Sequence, residues 1–167
     1  ACMYLRYCLL AALACGAIPS AYAAPANDGT WTANLRYRHE SVSDDAFARD
    51  ADADTLRLRL GWSRAFASGF SAGVEAEGVA ELNDRFNSGA HGKGAYPIVL
   101  DARALELNQA WVGWRGDRTG AVLGRQRIVL DNQRFVGNVG WRQNEQTFDA
   151  LALDAKPSDA LTLRYYY

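Results

Sequence analysis

Residues Thr55 to Trp62 read Thr-Leu-Arg-Leu-Arg-Leu-Gly-Trp. Successive side chains of an extended chain point to opposite faces, so Leu56, Leu58, Leu60 and Trp62 share one face and Thr55, Arg57, Arg59 and Gly61 the other. One face partitions into hydrocarbon and the other needs water. Soluble sandwiches alternate too. Here the pattern recurs behind an export signal, and that combination predicts an all-β fold, an antiparallel up-and-down transmembrane β-barrel with its apolar face outward.

The signal occupies residues 1–23. Arg6 forms a small basic n-region, Tyr7 to Ile18 an Ala- and Leu-rich h-region, and Ala21-Tyr22-Ala23 a small-x-small cleavage site. The apolar stretch is shorter than the roughly 20 residues a spanning helix needs. The domain division is therefore a secretory signal peptide, 1–23, and the N-terminal part of an outer-membrane barrel, 24–167. All three cysteines, Cys2, Cys8 and Cys15, fall in the signal, so the mature chain has no disulfide frame or thiol catalyst. Removing Arg6 from the 18 basic residues leaves 17 against 19 acidic ones, a net charge of −2. This excludes a broadly cationic nucleic-acid binder, and local charge placement must carry function.

After residue 24 the chain reads as strands separated by turn chemistry. Thr30 to Val42 alternates Trp31, Ala33, Leu35 and Tyr37 with Thr32, Asn34, Arg36, Arg38 and Glu40. Ser43 to Asp54 reads as an Asp-rich loop, Ser63 to Gly69 as a turn, and Phe70 to Glu81 as the third strand. Asn83 to Ala104 carries Asn-Ser-Gly, His-Gly-Lys-Gly and Tyr96-Pro97, and is read as a long exposed loop. Leu105 to Trp114 is a strand of imperfect alternation whose lumen face the pattern leaves open. Arg115 to Gly120 makes a turn and Ala121 to Ile128 a strand, in which Arg125 and Arg127 break the pattern. Val129 to Glu145 reads as a second outside loop, Thr147 to Ala155 as a strand, Lys156 to Asp159 as a turn and Leu161 to Tyr167 as a seventh strand. Long and short connections alternate, as in outer-membrane barrels.

Seven strands is an odd count, whereas bacterial single-chain barrels close with even numbers. The chain is thus expected to be incomplete; a first residue other than Met and a last residue inside a strand point the same way. Trp31, Tyr37, Trp62, Trp111 and Trp114 at strand ends suit interfacial girdles. Two other architectures fit the pattern. A small closed eight-stranded barrel, structural or adhesive, would have its charged interior salt-bridged shut. A secreted sugar-binding β-sandwich would bury Leu56, Leu58 and Leu60 between sheets.

Four segments carry a resemblance. Tyr96-Pro97-Ile98, Glu106-Leu107-Asn108-Gln109-Ala110, Gly124-Arg125-Gln126-Arg127-Ile128 and the run from Arg134 through Phe135-Val136-Gly137-Asn138-Val139-Gly140-Trp141-Arg142 to Gln143 resemble the alginate export family of outer-membrane porins in order and spacing. The resemblance implies a large monomeric barrel in the bacterial outer membrane, seated in outer-membrane lipid, through which alginate, another anionic polysaccharide or another anionic solute crosses passively. It leaves room for periplasmic export partners. The chain holds well under half the length such a barrel needs.

Arg36, Arg38, Arg57, Arg59 and Arg164 fall on polar strand faces and would project into a lumen. Guanidinium stays charged and presents a planar fork that matches carboxylates, so several weak contacts in series would pass a uronate polymer along. Arg125, Arg127, Arg134 and Arg142 join this pore-lining set through the resemblance. Glu75 and Glu77 share a polar face and belong to the same set; with Glu40, Glu81 and Glu106 they offer the arginines partners, which would leave a neutral interior. No catalytic role is read from Glu75 and Glu77, because no partner motif accompanies them. His39 and His91 lack metal-ligand spacing, and neither a metal nor a cofactor is expected. The expected protein is a conduit and no enzyme.

Overall fold

The computed structural model describes residues 28–167. The signal peptide expected over 1–23 lies outside these residues. Seven strands follow one another: β1 (Thr30–Val42), β2 (Ala51–Ala65), β3 (Phe70–Glu81), β4 (Ala104–Arg115), β5 (Thr119–Gln126), β6 (Phe148–Ser158) and β7 (Leu161–Tyr166). They form one antiparallel sheet in sequence order, β1 to β7. Among the described residues there is one sheet and no second layer of the kind the sandwich alternative requires. Leu58 and Leu60, which that alternative buries, are 43% and 50% exposed.

The connections at one end are short: 66–69, 116–118 and 159–160. Those at the other end, 43–50, 82–103 and 127–147, are longer. The expected loop from Ser43 to Asp54 shrinks because β2 begins at Ala51. Val42 pairs with Ala51, and Ala51 and Ala53 pack with Phe86 and Val99 into a small buried cluster flanked by Val42 and Tyr96. Packing overrides the turn propensity of the aspartates. β6 runs through Lys156 and Pro157, which were expected in a turn, with a register shift between Ala155 and Ser158. Pro157 has no N–H for the ladder, so the irregularity falls there.

β4 fails to alternate because of a bulge. Glu75 pairs with Gln109 but Ala76 with Leu107, so Asn108 is the extra residue. Below the bulge Leu105 and Leu107 stand on the apolar face; past it Ala110, Val112 and Trp114 do. The bulge thereby keeps one face apolar along the whole strand. Trp111 falls on the polar face, which corrects its expected girdle position: its ring lies where a Cβ on Gly73 would come within 2.6 Å of it, so only glycine fits beneath it. On the apolar face near the short-turn end, Trp31 pairs across from Trp62 and Phe70 across from Trp114, forming an aromatic row.

Burial is inverted relative to a soluble domain. The apolar face carries the exposed Trp31, Leu35, Leu58, Leu60, Leu105, Val112, Leu123 and Leu163. The polar face holds the buried Thr55, Arg57, Glu77, Asn108 and Gln126. Loops 82–103 and 127–147, read from sequence as an exposed loop over Asn83 to Ala104 and an outside loop over Val129 to Glu145, fold back over that face and cover part of it.

Candidate polar-face binding site

The site is built where 127–147 descends along the polar faces of β1 to β4. Gln143 anchors it. Its backbone N–H donates to Asp101 Oδ1 at 2.9 Å, and its side-chain amide donates to Thr55 O at 3.1 Å and Thr55 Oγ1 at 2.9 Å. Arg36 Nε donates to Gln143 Oε1 at 2.9 Å, Arg36 Nη1 donates to Gly140 O at 3.0 Å, and Arg36 Nη2 donates to Arg142 O. Asn144 Nδ2 donates to Ala102 O at 3.1 Å, so the two covering loops also hold each other.

Two ion-pair groups flank this anchor. Nearer the long connections, Arg38 pairs with Glu40 and Asp101, and Arg142 pairs with Glu40 at 3.2 Å. Deeper in, Arg59 pairs with Glu77 and with Glu145 at 3.4 Å, and Arg127 pairs with both Glu75 and Glu145. Asn108 Nδ2 bridges Glu75 at 2.7 Å and Glu145 at 2.6 Å, which gives the bulge residue its place. Arg57 Nη2 donates to Asn34 Oδ1 at 2.7 Å, and its Nε lies 4.0 Å from Glu77.

Burial pushes the Glu145 carboxyl up, but its hydrogen bonds from Arg127 and Asn108, with the charges of Arg127 and Arg59, more than reverse this and hold it below the ordinary carboxylate range. A depressed folded-state value means that Glu145 stabilises the docked loop fully above its unfolded value near 4.5, a contribution lost as pH falls through the lower folded value. Amide exchange of residues 138–146 is therefore expected to be flat from pH 7 to pH 5 after correction for intrinsic rates. It should accelerate in more acidic solution.

The expected pore-lining residues divide by placement. Arg36, Arg38, Arg57, Arg59, Glu75, Glu77, Arg127 and Arg142 come together. Arg57 and Glu77 are 4% and 0% exposed, so they lie covered beneath the loops. Arg125 is corrected to the apolar face: it pairs across from Ala110 and Asp149, shares the side of Ala121 and Leu123, and binds Asp149 at 2.7 Å. Arg134 sits at an exposed loop tip over Phe135, away from the cluster. Arg164 stands opposite Asp154 on the polar face at the far strand, where Asp154 pairs with Arg115 at 2.5 Å. Asp101, Asn108, Gln143 and Glu145 were missed as site residues. Asp101, Gln143 and Glu145 lie in segments that read as loop until they fold inward, and Asn108 sits in a strand whose alternation the bulge breaks; Asn108 and Gln143 fall within the segments that carry the family resemblance. Among the described residues no group of His, Cys, Asp and Glu could hold a metal ion.

The family model for alginate export matches residues 30–165, from the first residue of β1 almost to the end of β7. The chain belongs to the alginate export family. No curated protein and no solved structure matches it. The alginate export family comprises outer-membrane transporters, not enzymes. An all-β sheet of antiparallel up-and-down strands is compatible with that class. The run Gly140-Trp141-Arg142-Gln143, within the segment that most resembles the family, is also the stretch that threads the site.

Proposed function

We propose that this chain forms a sector of an outer-membrane β-barrel wall, and that the barrel passively conducts alginate or a related anionic polysaccharide along the polar face. With residues 1–23 acting as a secretory signal, the chain would reach the periplasm and insert from there. The observation that carries this reading is the inverted burial: charged and amide side chains are covered on one face, and leucines and aromatics are bare on the other. A surrounding apolar medium makes that arrangement favourable. The strand lengths support it, since β1 to β4 have 12 to 15 residues and about 9–11 suffice to cross the hydrocarbon at a tilt.

The arginines act as relayed, partly compensated charges. A fully unpaired row would hold a polyuronate too tightly, whereas guanidiniums already shared with carboxylates exchange partners at small net cost. The full chain in planar bilayers under a KCl gradient is expected to show anion preference, and Arg142→Gln to move the reversal potential toward zero. Absent conductance would favour a wall salt-bridged shut, as in a small structural barrel. Cation preference would overturn the anion conduit.

A further inference from the structure

We infer that Trp141 is a stacking platform for a hexuronate ring of the polymer, a deepening that rests on the conduit reading above. Trp141 is 61% exposed, although Gln143 and Glu145 on the same descending segment are buried. Two guanidiniums lie over its ring, Arg142 at 4.1 Å from the centroid and Arg38 farther off at 5.5 Å, and the rest of the ring is open to solvent. Those contacts restrain the indole before any ligand arrives.

The charge around it is unbalanced in the direction a uronate needs. Arg36, Arg38 and Arg142 face two carboxylates, Glu40 and Asp101, and Arg36 gives its hydrogen bonds only to neutral acceptors. The deeper group has no such surplus, because Arg57, Arg59 and Arg127 face Glu75, Glu77 and Glu145. A hexuronate presents an apolar patch of C–H bonds on its ring face and a carboxylate on its edge. An indole face beside guanidinium forks matches both at once. A lipid-interface role suits Trp31, Trp62 and Trp114, which stand on the apolar face; Trp141 projects from a loop laid over the polar face.

The test is block of ion current by an alginate tetrasaccharide through the full chain in planar bilayers. Trp141→Ala is expected to raise the half-blocking concentration roughly tenfold. Trp141→Leu, which keeps bulk but no ring, should behave like the alanine variant and serves if the latter assembles poorly. Trp141→Phe should stay within about threefold of wild type, and Phe135→Ala, at the loop tip, should not change the block. Wild-type block that persists in both Trp141→Ala and Trp141→Leu overturns this inference and leaves the conduit standing. A wild-type channel with neither block nor anion preference overturns the conduit, and this inference with it.

Discussion

Replacing Glu145 with alanine is expected to release the 127–147 loop from the sheet. The carboxylate is shared by Arg59 and Arg127 and accepts from Asn108 at 2.6 Å and from Asn138 at 2.9 Å. Its loss leaves two guanidiniums and two amides without that partner in a covered site. Orphaning a buried charge typically costs about 3–5 kcal/mol; here Arg59 keeps Glu77 and Arg127 keeps Glu75, so the expected loss lies at or below the lower end of that range. Exposed pairs such as Arg118 with Asp159 would cost under about 1 kcal/mol if broken, so the effect separates the site from the surface. Amide exchange over 138–146 should approach unfolded-loop rates in Glu145→Ala, while β1 and β2 stay protected through their own ladder. In bilayers the undocked loop should raise single-channel conductance. Unchanged exchange would mean that Gln143 and its contacts to Thr55 and Asp101 hold the loop alone.

That network also explains what could and could not be read from the chain. β1 and β3 are legible to the residue, since period-two alternation over a dozen positions leaves one register in which the leucines and aromatics share a face. β4 was not, because the pattern slips by one at Asn108 and sequence alone cannot distinguish a bulge from a misread face. Arg125 was misplaced for a related reason: the resemblance carries residue types, while the face is decided by pairing with Ala110 and Asp149. The site itself was half visible. Arg36, Arg38, Arg57 and Arg59 declare themselves on strands. Their partners Gln143, Glu145 and Asp101 lie in loops, where no period exists and burial depends on long-range folding, with Arg36 and Gln143 separated by 107 positions. Tertiary contact of that range leaves no local trace.

Leu58→Arg carries the second large effect, because its sign and size depend on what surrounds the apolar face. Leu58 is the central residue of the 15-residue β2, opposite Leu35 on β1 and Gly78 on β3, and it is 43% exposed. If water surrounded it, the substitution would trade an exposed leucine for a solvated cation and change stability by no more than about 0.5 kcal/mol. In a bilayer the same residue sits near the midplane, too deep for the arginine stem to bring its charge to the headgroups easily. The cost there is roughly 2–4 kcal/mol. Arg125 shows how the apolar face tolerates charge: it lies near the end of β5 and carries Asp149 as a partner, whereas position 58 has only apolar neighbours across both ladders. The measurement is reversible folding of the full chain into vesicles, comparing Leu58→Arg with Arg134→Leu at the exposed loop tip. A loss of 2 kcal/mol or more for the first and none for the second fixes the apolar face against lipid. Equal, small changes would sink the barrel reading, and with it the conduit on the other face.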